Sequence, residues 1–250
     1  MSERFKNKVA VVTGGNSGIG LATARAFVRE GAKVAITGRS DATLKAAQKE
    51  LGPDVLAIKA DFSRVSEIAT AMDRIKERFG RIDALFVNAG IGKFVPVEEV
   101  TEAFFDETMA TNLKGAFFTV QKAIPLLSRG SAVVLNASVN AHLGMPGSTV
   151  YGATKAAVVN LAKTLSADLL QRGIRVNVVS PGPIATPILD RMGFSEEETR
   201  QLKDRITEQV PLKRFGHPDE IAAAVLYLSS SESAYVVGTE LVVDGGMIQL

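Results

Sequence analysis

The strongest constraint on this chain is an alternation of apolar, β-branched runs with longer segments of helical period. The runs Lys8–Thr13, Lys33–Thr37, Val55–Ala60, Ile82–Val87, Ser131–Asn136, Arg175–Val179 and Glu240–Val243 are mostly continuous in hydrophobicity. Strands covered on both faces read this way, whereas half-exposed strands alternate. Between them, Ile19–Glu30, Ala42–Leu51, Val65–Phe79, Val150–Gln171 and Asp219–Leu228 carry apolar residues at helical spacing. Repeated strand–helix units predict an α/β fold, a doubly wound parallel sheet of seven strands with right-handed crossovers and helices on both faces. The 250 residues contain no low-complexity linker, so one domain spanning 1–250 is expected.

The irregular part runs from Pro181 to Pro211. It contains Ser195-Glu-Glu-Glu198, a capping-box pattern, followed by Leu202, Ile206 and Val210 at fourfold spacing. An amphipathic helix is expected, either packed on the core or serving as a lid over a ligand cleft at about 187–210. The lid is favoured, because long insertions at this edge of a sheet usually serve binding.

Charge and composition exclude several partners. The 29 basic and 27 acidic residues are interspersed with no dense basic patch, so nucleic acid is disfavoured. The apolar runs are too short to span a bilayer, and the first eight residues lack the apolar core of a signal peptide, so a cytoplasmic protein is expected. With no cysteine and only His142 and His217, neither a metal centre nor a histidine-based triad is expected.

The first run leads through Thr13-Gly14-Gly15-Asn16-Ser17-Gly18-Ile19-Gly20 into a helix. Glycines at such a turn let a backbone approach a pyrophosphate seated on the helix N-terminus. The spacing is Gly-x-x-x-Gly-x-Gly, and no Gly-Lys-Ser/Thr ending marks a Walker loop. Strand before and helix after favour nucleotide binding over a purely structural turn. The second run ends in Thr37-Gly38-Arg39-Ser40, with no acid to hold a ribose 2′-hydroxyl. Arg39 can pair with a phosphate through its planar fork and Ser40 can add a hydrogen bond, which favours NADP(H) over NAD(H).

Tyr151 and Lys155 stand at i and i+4, on one face if the segment is helical. A phenol ionises near pH ~10, and a neighbouring cation favours the phenolate. Lowering it by roughly three units needs ~4 kcal/mol of differential interaction, a load for one close cation plus a second positive charge such as a bound nicotinamide ring.

Taken together, Thr13-Gly-Gly-Asn-Ser-Gly-Ile-Gly20, Asp61, Asn88-Ala-Gly90, Asn112, Ser138, Tyr151-x-x-x-Lys155 and Pro181-Gly182 resemble the short-chain dehydrogenase/reductase family across essentially the whole chain. The resemblance implies a Rossmann sheet of order 3-2-1-4-5-6-7 and hydride exchange between a nicotinamide and an alcohol or carbonyl. It implies that Tyr151 is the acid-base, that Lys155 holds the nicotinamide ribose and depresses the tyrosine pKa, and that Ser138 polarises the substrate carbonyl. Asn112 resembles the helix residue that holds a proton-conducting water. Gly14, Asn16, Ser17, Gly18, Ile19 and Gly20 would form the phosphate turn. Asp61 would contact the adenine amino group with Phe62 beside the ring, and Asn88, Ala89 and Gly90 would line the adenosine ribose. Pro181, Gly182, Ile184 and Thr186 would pack on the nicotinamide. Ser17 stands where some NADP-dependent members carry a basic residue, so the cofactor preference rests on Arg39 and the missing acid.

The substrate pocket is expected among Phe94-Val95-Pro96, 140–146 and 188–209. Apolar Leu143, Met145, Ile184, Met192 and Phe194 there suit a partly hydrophobic carbonyl compound or acyl chain. Arg129 and Arg172 would dock an acidic carrier only if the chain acts like the related 3-oxoacyl-carrier reductases. The leading expectation is an NADPH-dependent carbonyl reductase, reversible as an alcohol dehydrogenase. Its rivals are a sugar or polyol dehydrogenase and a non-catalytic NADP(H)-binding regulator. A homotetramer is implied by the resemblance alone.

Overall fold

The computed structural model describes residues 3–186 and 195–250. Seven parallel strands form one sheet in the order β3-β2-β1-β4-β5-β6-β7. They are β1 (Val9–Val12), β2 (Lys33–Gly38), β3 (Leu56–Lys59), β4 (Ile82–Val87), β5 (Leu127–Asn136), β6 (Arg175–Pro181) and β7 (Glu240–Val243). The helices are α1 (Gly18–Arg29), α2 (Asp41–Leu51), α3 (Val65–Phe79), α4 (Glu102–Met109), α5 (Gly115–Ala123), α6 (Thr149–Leu169), α7 (Glu196–Gln209) and α8 (Pro218–Ser229). None of the described helices is long and apolar enough to cross a membrane.

The continuous apolar runs divide between two core layers. Val11, Leu85, Val133, Leu135, Val176 and Val178 face the layer built with α3, α5 and α6. Their neighbours Ala10, Val12, Ala84, Phe86, Val134 and Val179 face α1, α2 and α8. Period two therefore operates inside each run, but both faces are dry. Burying each such valine, leucine or phenylalanine contributes about 1.5–3 kcal/mol.

The largest difference from the expected strands is β5, which starts at Leu127 rather than Ser131. Ser128, Arg129 and Gly130 are exposed and break the apolar pattern, and Gly130 has a φ of 91°. The pairing with β4 shifts register between Ile82 and Ala84, and Ser131 closes the irregularity by donating to the Ile82 carbonyl at 2.8 Å.

Two further features place the site. A π-helical turn, Ala110–Lys114, joins α4 to α5 and carries Asn112. The expected capping box forms at α7, where Ser195 and Glu198 bond reciprocally at 3.3 and 2.8 Å. Val210, just beyond α7, is buried, and Leu202 and Ile206 are half-buried. The expected lid residues Ile188, Met192 and Phe194 lie outside the described residues.

Candidate active site

The parallel strands end together, so the turns after β1, β4, β5 and β6 share one edge of the sheet. A hydrogen-bonded chain crosses that edge. The Thr13 hydroxyl accepts from the Asn88 and Ala89 amides at 2.8 and 2.9 Å. The Asn88 side chain donates to the Thr13 and Gly14 carbonyls at 3.0 and 3.3 Å. Asn136, at the end of β5, donates to Asn88 Oδ1 at 2.9 Å. Lys155 Nζ, arriving from α6, donates to the Asn136 carbonyl at 2.8 Å. The glycine turn and the lysine are thus tied together through three strands.

The glycine turn suits a dinucleotide phosphate. Gly14 and Gly18 have φ of 65° and 52°, a region strained for residues with a Cβ. A Cβ on Gly20 would lie 2.2 Å from the Gly14 carbonyl oxygen, so α1 packs directly on the turn. Ser17 caps α1 with no side-chain hydrogen bond, and no acid stands in the first turn. The orphan amides of α1 are therefore left for an anion. Thr186 reaches the same place, its Cγ2 3.3 Å from where a Gly18 Cβ would be. Pro181 and Gly182 lead there from β6, with the Gly182 amide bonded to the Val243 carbonyl at 3.0 Å.

Beyond the turn, Asn16 donates to the Thr43 hydroxyl at 2.7 Å. Half-buried Ile19 packs against the α1 core layer. Arg39 and Ser40 are exposed at the start of α2. Ser40 accepts from the Thr43 amide at 3.4 Å, which leaves its hydroxyl proton free to donate. Asp61 Oδ1 accepts from the Ser63 amide and hydroxyl at 2.9 and 2.8 Å. Burial pushes the Asp61 carboxyl up, but the Ser63 donors and the charges of Arg39 and Arg64 outweigh it and hold it below the usual range.

Two sequence expectations need correction. Phe62 is 4% exposed and belongs to the core layer of Ile58, Ala60 and Ile68, so its ring is not presented at the edge. Ile184 is likewise buried in the opposite layer, its Cδ1 against Gly216.

The chemical groups converge at the ends of β5 and α6. The Ser138 hydroxyl accepts from the Asn140 amide at 3.2 Å and stands beside the Tyr151 phenol, whose pKa it lowers. The Tyr151 ring lies against Phe94, centroids 5.3 Å apart. Lys155 Nζ is 5.6 Å from the Tyr151 ring centroid. Asn112 accepts from the Ile91 amide at 2.8 Å and donates to the Ile91 carbonyl at 3.0 Å and Thr154 at 3.3 Å. Its side chain is committed to bracing the loop after β4, where a Cβ on Gly90 would lie 3.2 Å from Asn112 Oδ1. A water at Asn112 would need the main-chain carbonyl.

The electrostatics also differ from expectation. Burial pushes the Tyr151 phenol above its ordinary value, and Ser138 offsets this only in part. Burial pushes Lys155 down to about 8. The lysine therefore keeps its proton at neutral pH, but its charge does not overcome the desolvation of the phenol.

Asn136 and Thr154 are further structural members of this site that the motif reading did not single out, and Thr13, which opens the glycine motif, joins them as the acceptor for Asn88 and Ala89. Asn136 had a visible signal, an amide closing an otherwise apolar strand.

Residues 14–248 match the family model described as enoyl-(acyl carrier protein) reductase. The chain is 38% identical to levodione reductase of Leifsonia aquatica over 97% of this chain and 95% of that one. It is 38% identical to an NADP-dependent (R)-specific alcohol dehydrogenase of Lentilactobacillus kefiri over 98% of each chain. A short-chain dehydrogenase from Burkholderia cenocepacia, solved in complex with NADP, superposes with a TM-score of 0.90 at 31% identity, over 98% of this chain and 99% of that chain. This chain belongs to the short-chain dehydrogenase/reductase family and is an oxidoreductase acting on C=O or CH–OH groups.

Proposed function

We propose that this enzyme reduces the carbonyl of a partly apolar compound to a secondary alcohol with NADP(H), reversibly, with Tyr151 as acid-base. The observation that carries the reading is the convergence of Ser138, Tyr151 and Lys155, with Lys155 Nζ 5.6 Å from the Tyr151 ring centroid, at the sheet edge shared with the glycine turn. The nicotinamide, when bound, supplies or accepts the hydride. Ser138 orients the substrate oxygen, and Tyr151 gives that oxygen a proton in reduction and takes it back in oxidation. Lys155 uses one of its three N–H donors on Asn136 and keeps two for ribose hydroxyls. Main-chain amides at α1 hold the pyrophosphate. Arg39 and Ser40 hold a 2′-phosphate, a preference in keeping with the NADP-dependent relative and the NADP-bound neighbour. Exposed Phe105, Phe117 and Tyr235 support assembly into a homotetramer.

Tyr151→Phe tests the mechanism. It should retain NADPH binding and lose turnover by about 10²–10⁴-fold on an active carbonyl. Undiminished NADPH oxidation by the variant would overturn the role of Tyr151. A parent that binds NADPH but turns over no carbonyl or alcohol would favour the non-catalytic regulator. A panel containing sugars and polyols separates the remaining rival.

A further inference from the structure

We propose that His142 is a positioning residue that tethers the substrate-side loop to the end of the sheet through Glu240 and Ser180. The inference rests on the reductase reading for its kinetic consequence, though not for its geometry. Ser180 on β6 is fully buried, and its hydroxyl donates to Glu240 Oε1 at 2.5 Å. His142 Nε2 lies 2.8 Å from the same oxygen. β6 and β7 pair with Ser180 opposite Val242 and Val178 opposite Glu240. Ser180 and Glu240 are therefore diagonal neighbours on one face of the sheet. Both donors converge on a single oxygen, which fixes the carboxylate and gives the imidazole one place to dock.

Among the described residues, no other side chain of 139–147 hydrogen-bonds to the sheet, and Ala141 anchors the loop only by packing against the core layer. At its start, Ser138 accepts from the Asn140 amide at 3.2 Å. At its end, the Gly147 carbonyl accepts from the Val95 amide at 2.9 Å. Leu143 and Met145 lie between these points, half-buried. His142 immediately follows the short 3-10 turn Val139–Ala141, four residues beyond Ser138. Ser180 directly precedes Pro181 and Gly182. One carboxylate oxygen thus joins the loop expected to face substrate with the strand end expected to face the nicotinamide. Without the imidazole, the loop must be ordered when substrate binds, while Ser138, Tyr151 and Lys155 keep their own supports. The effect therefore falls on substrate KM more than on kcat.

The test uses the full chain with NADPH and an active carbonyl, in His142→Ala, His142→Gln, Glu240→Ala and the His142→Ala/Glu240→Ala pair. A hydrogen bond to a charged acceptor corresponds to a change of about tenfold. His142→Ala should raise carbonyl KM by about 5- to 10-fold, with kcat and NADPH affinity within about twofold. Glutamine places an amide near the imidazole Nε2 and should restore most of the loss. The double variant should be no worse than Glu240→Ala alone, which removes the His142 contact together with the Ser180 bond. Hydrogen exchange should quicken across 139–147 in His142→Ala, a readout that needs no turnover and separates failure of the tether from failure of the reductase reading. Unchanged exchange across 139–147 would overturn the tether. So would independent, multiplying effects of the two single substitutions, or a kcat loss with KM unchanged.

Discussion

Replacing Lys155 by methionine should stabilise the folded chain at neutral pH while removing its proposed cofactor contact. Lys155 is 6% exposed, and its pKa falls from 10.5 to about 8 because burial penalises the ammonium. A difference of that size corresponds to roughly 3 kcal/mol against folding whenever the lysine is charged in both states. Methionine removes this cost but also removes the bond to the Asn136 carbonyl, worth about 1 kcal/mol. The variant should therefore be about 2 kcal/mol more stable at pH 7. The sign of the pH dependence follows from proton uptake. Between about 8 and 10.5 the unfolded chain binds more protons at this site than the folded one, so the parent gains stability as pH rises. Below that window its penalty is complete, and above it the penalty is gone. The advantage of the variant should thus be flat up to pH 8, shrink above it, and change sign before pH 10.5. Urea unfolding of both proteins without cofactor, at equal protein concentration from pH 7 to 10, reads the difference directly. A difference that does not vary with pH would refute a lysine perturbed by burial.

Other substitutions probe separate parts of the site and fold. Arg39→Ala should raise KM for NADPH by about tenfold and leave NADH within about twofold, because only the 2′-phosphate offers the guanidinium a partner. An unchanged NADPH-to-NADH ratio would remove Arg39 from cofactor selection. Gly20→Ala places a Cβ 2.2 Å from the Gly14 carbonyl oxygen, so it should abolish NADPH binding and lower Tm. Parental affinity and Tm together would contradict the packing of α1 on the turn. Arg175 is buried and donates to the Leu228, Ser230 and Val236 carbonyls and the Ser233 hydroxyl. Arg175→Met should cost about 3 kcal/mol by leaving those acceptors short of donors, and a neutral result in chemical unfolding would show that its burial cost cancels its bonds.

The sheet was legible because its pattern is redundant. Each run in the middle strands supplies apolar residues to both layers, so a small error in a boundary does not change the fold class. β5 shows where that redundancy stops. Residues 128–130 lie within β5 although they are polar, exposed and without partners on β4, because Leu127 and Ala132 pair on either side of them and the Gly130 amide bonds the Gly173 carbonyl. The site was legible as residue types at motif positions, but the directions of their side chains were not. Phe62 shows the difference. A phenylalanine beside Asp61 invites assignment to an adenine ring, yet Ile58, Ala60 and Phe62 continue the period-two rhythm of β3 into one core layer. The alternation extended three residues past β3, to Phe62, would have placed it correctly.

The Tyr151–Lys155 pair marks a deeper limit, because the sign of a pKa shift is a difference between two large effects. Spacing shows that a cation stands near the phenol, and from that alone the phenol should become more acidic. Spacing does not show how much water either group loses. Here the same burial acts on both, raising the phenol and lowering the ammonium to about 8. Bringing the pair deeper to strengthen their attraction would also deepen both penalties. Ser138 offsets part of the phenol's shift, and the Asn136 carbonyl accepts from the lysine at the other end of the pair. In the proposed mechanism the acidity of Tyr151 therefore depends on the strand ends that support it and Lys155, and substitutions at Ser138 or Asn136 should shift the pH profile of turnover with Tyr151 and Lys155 themselves unchanged.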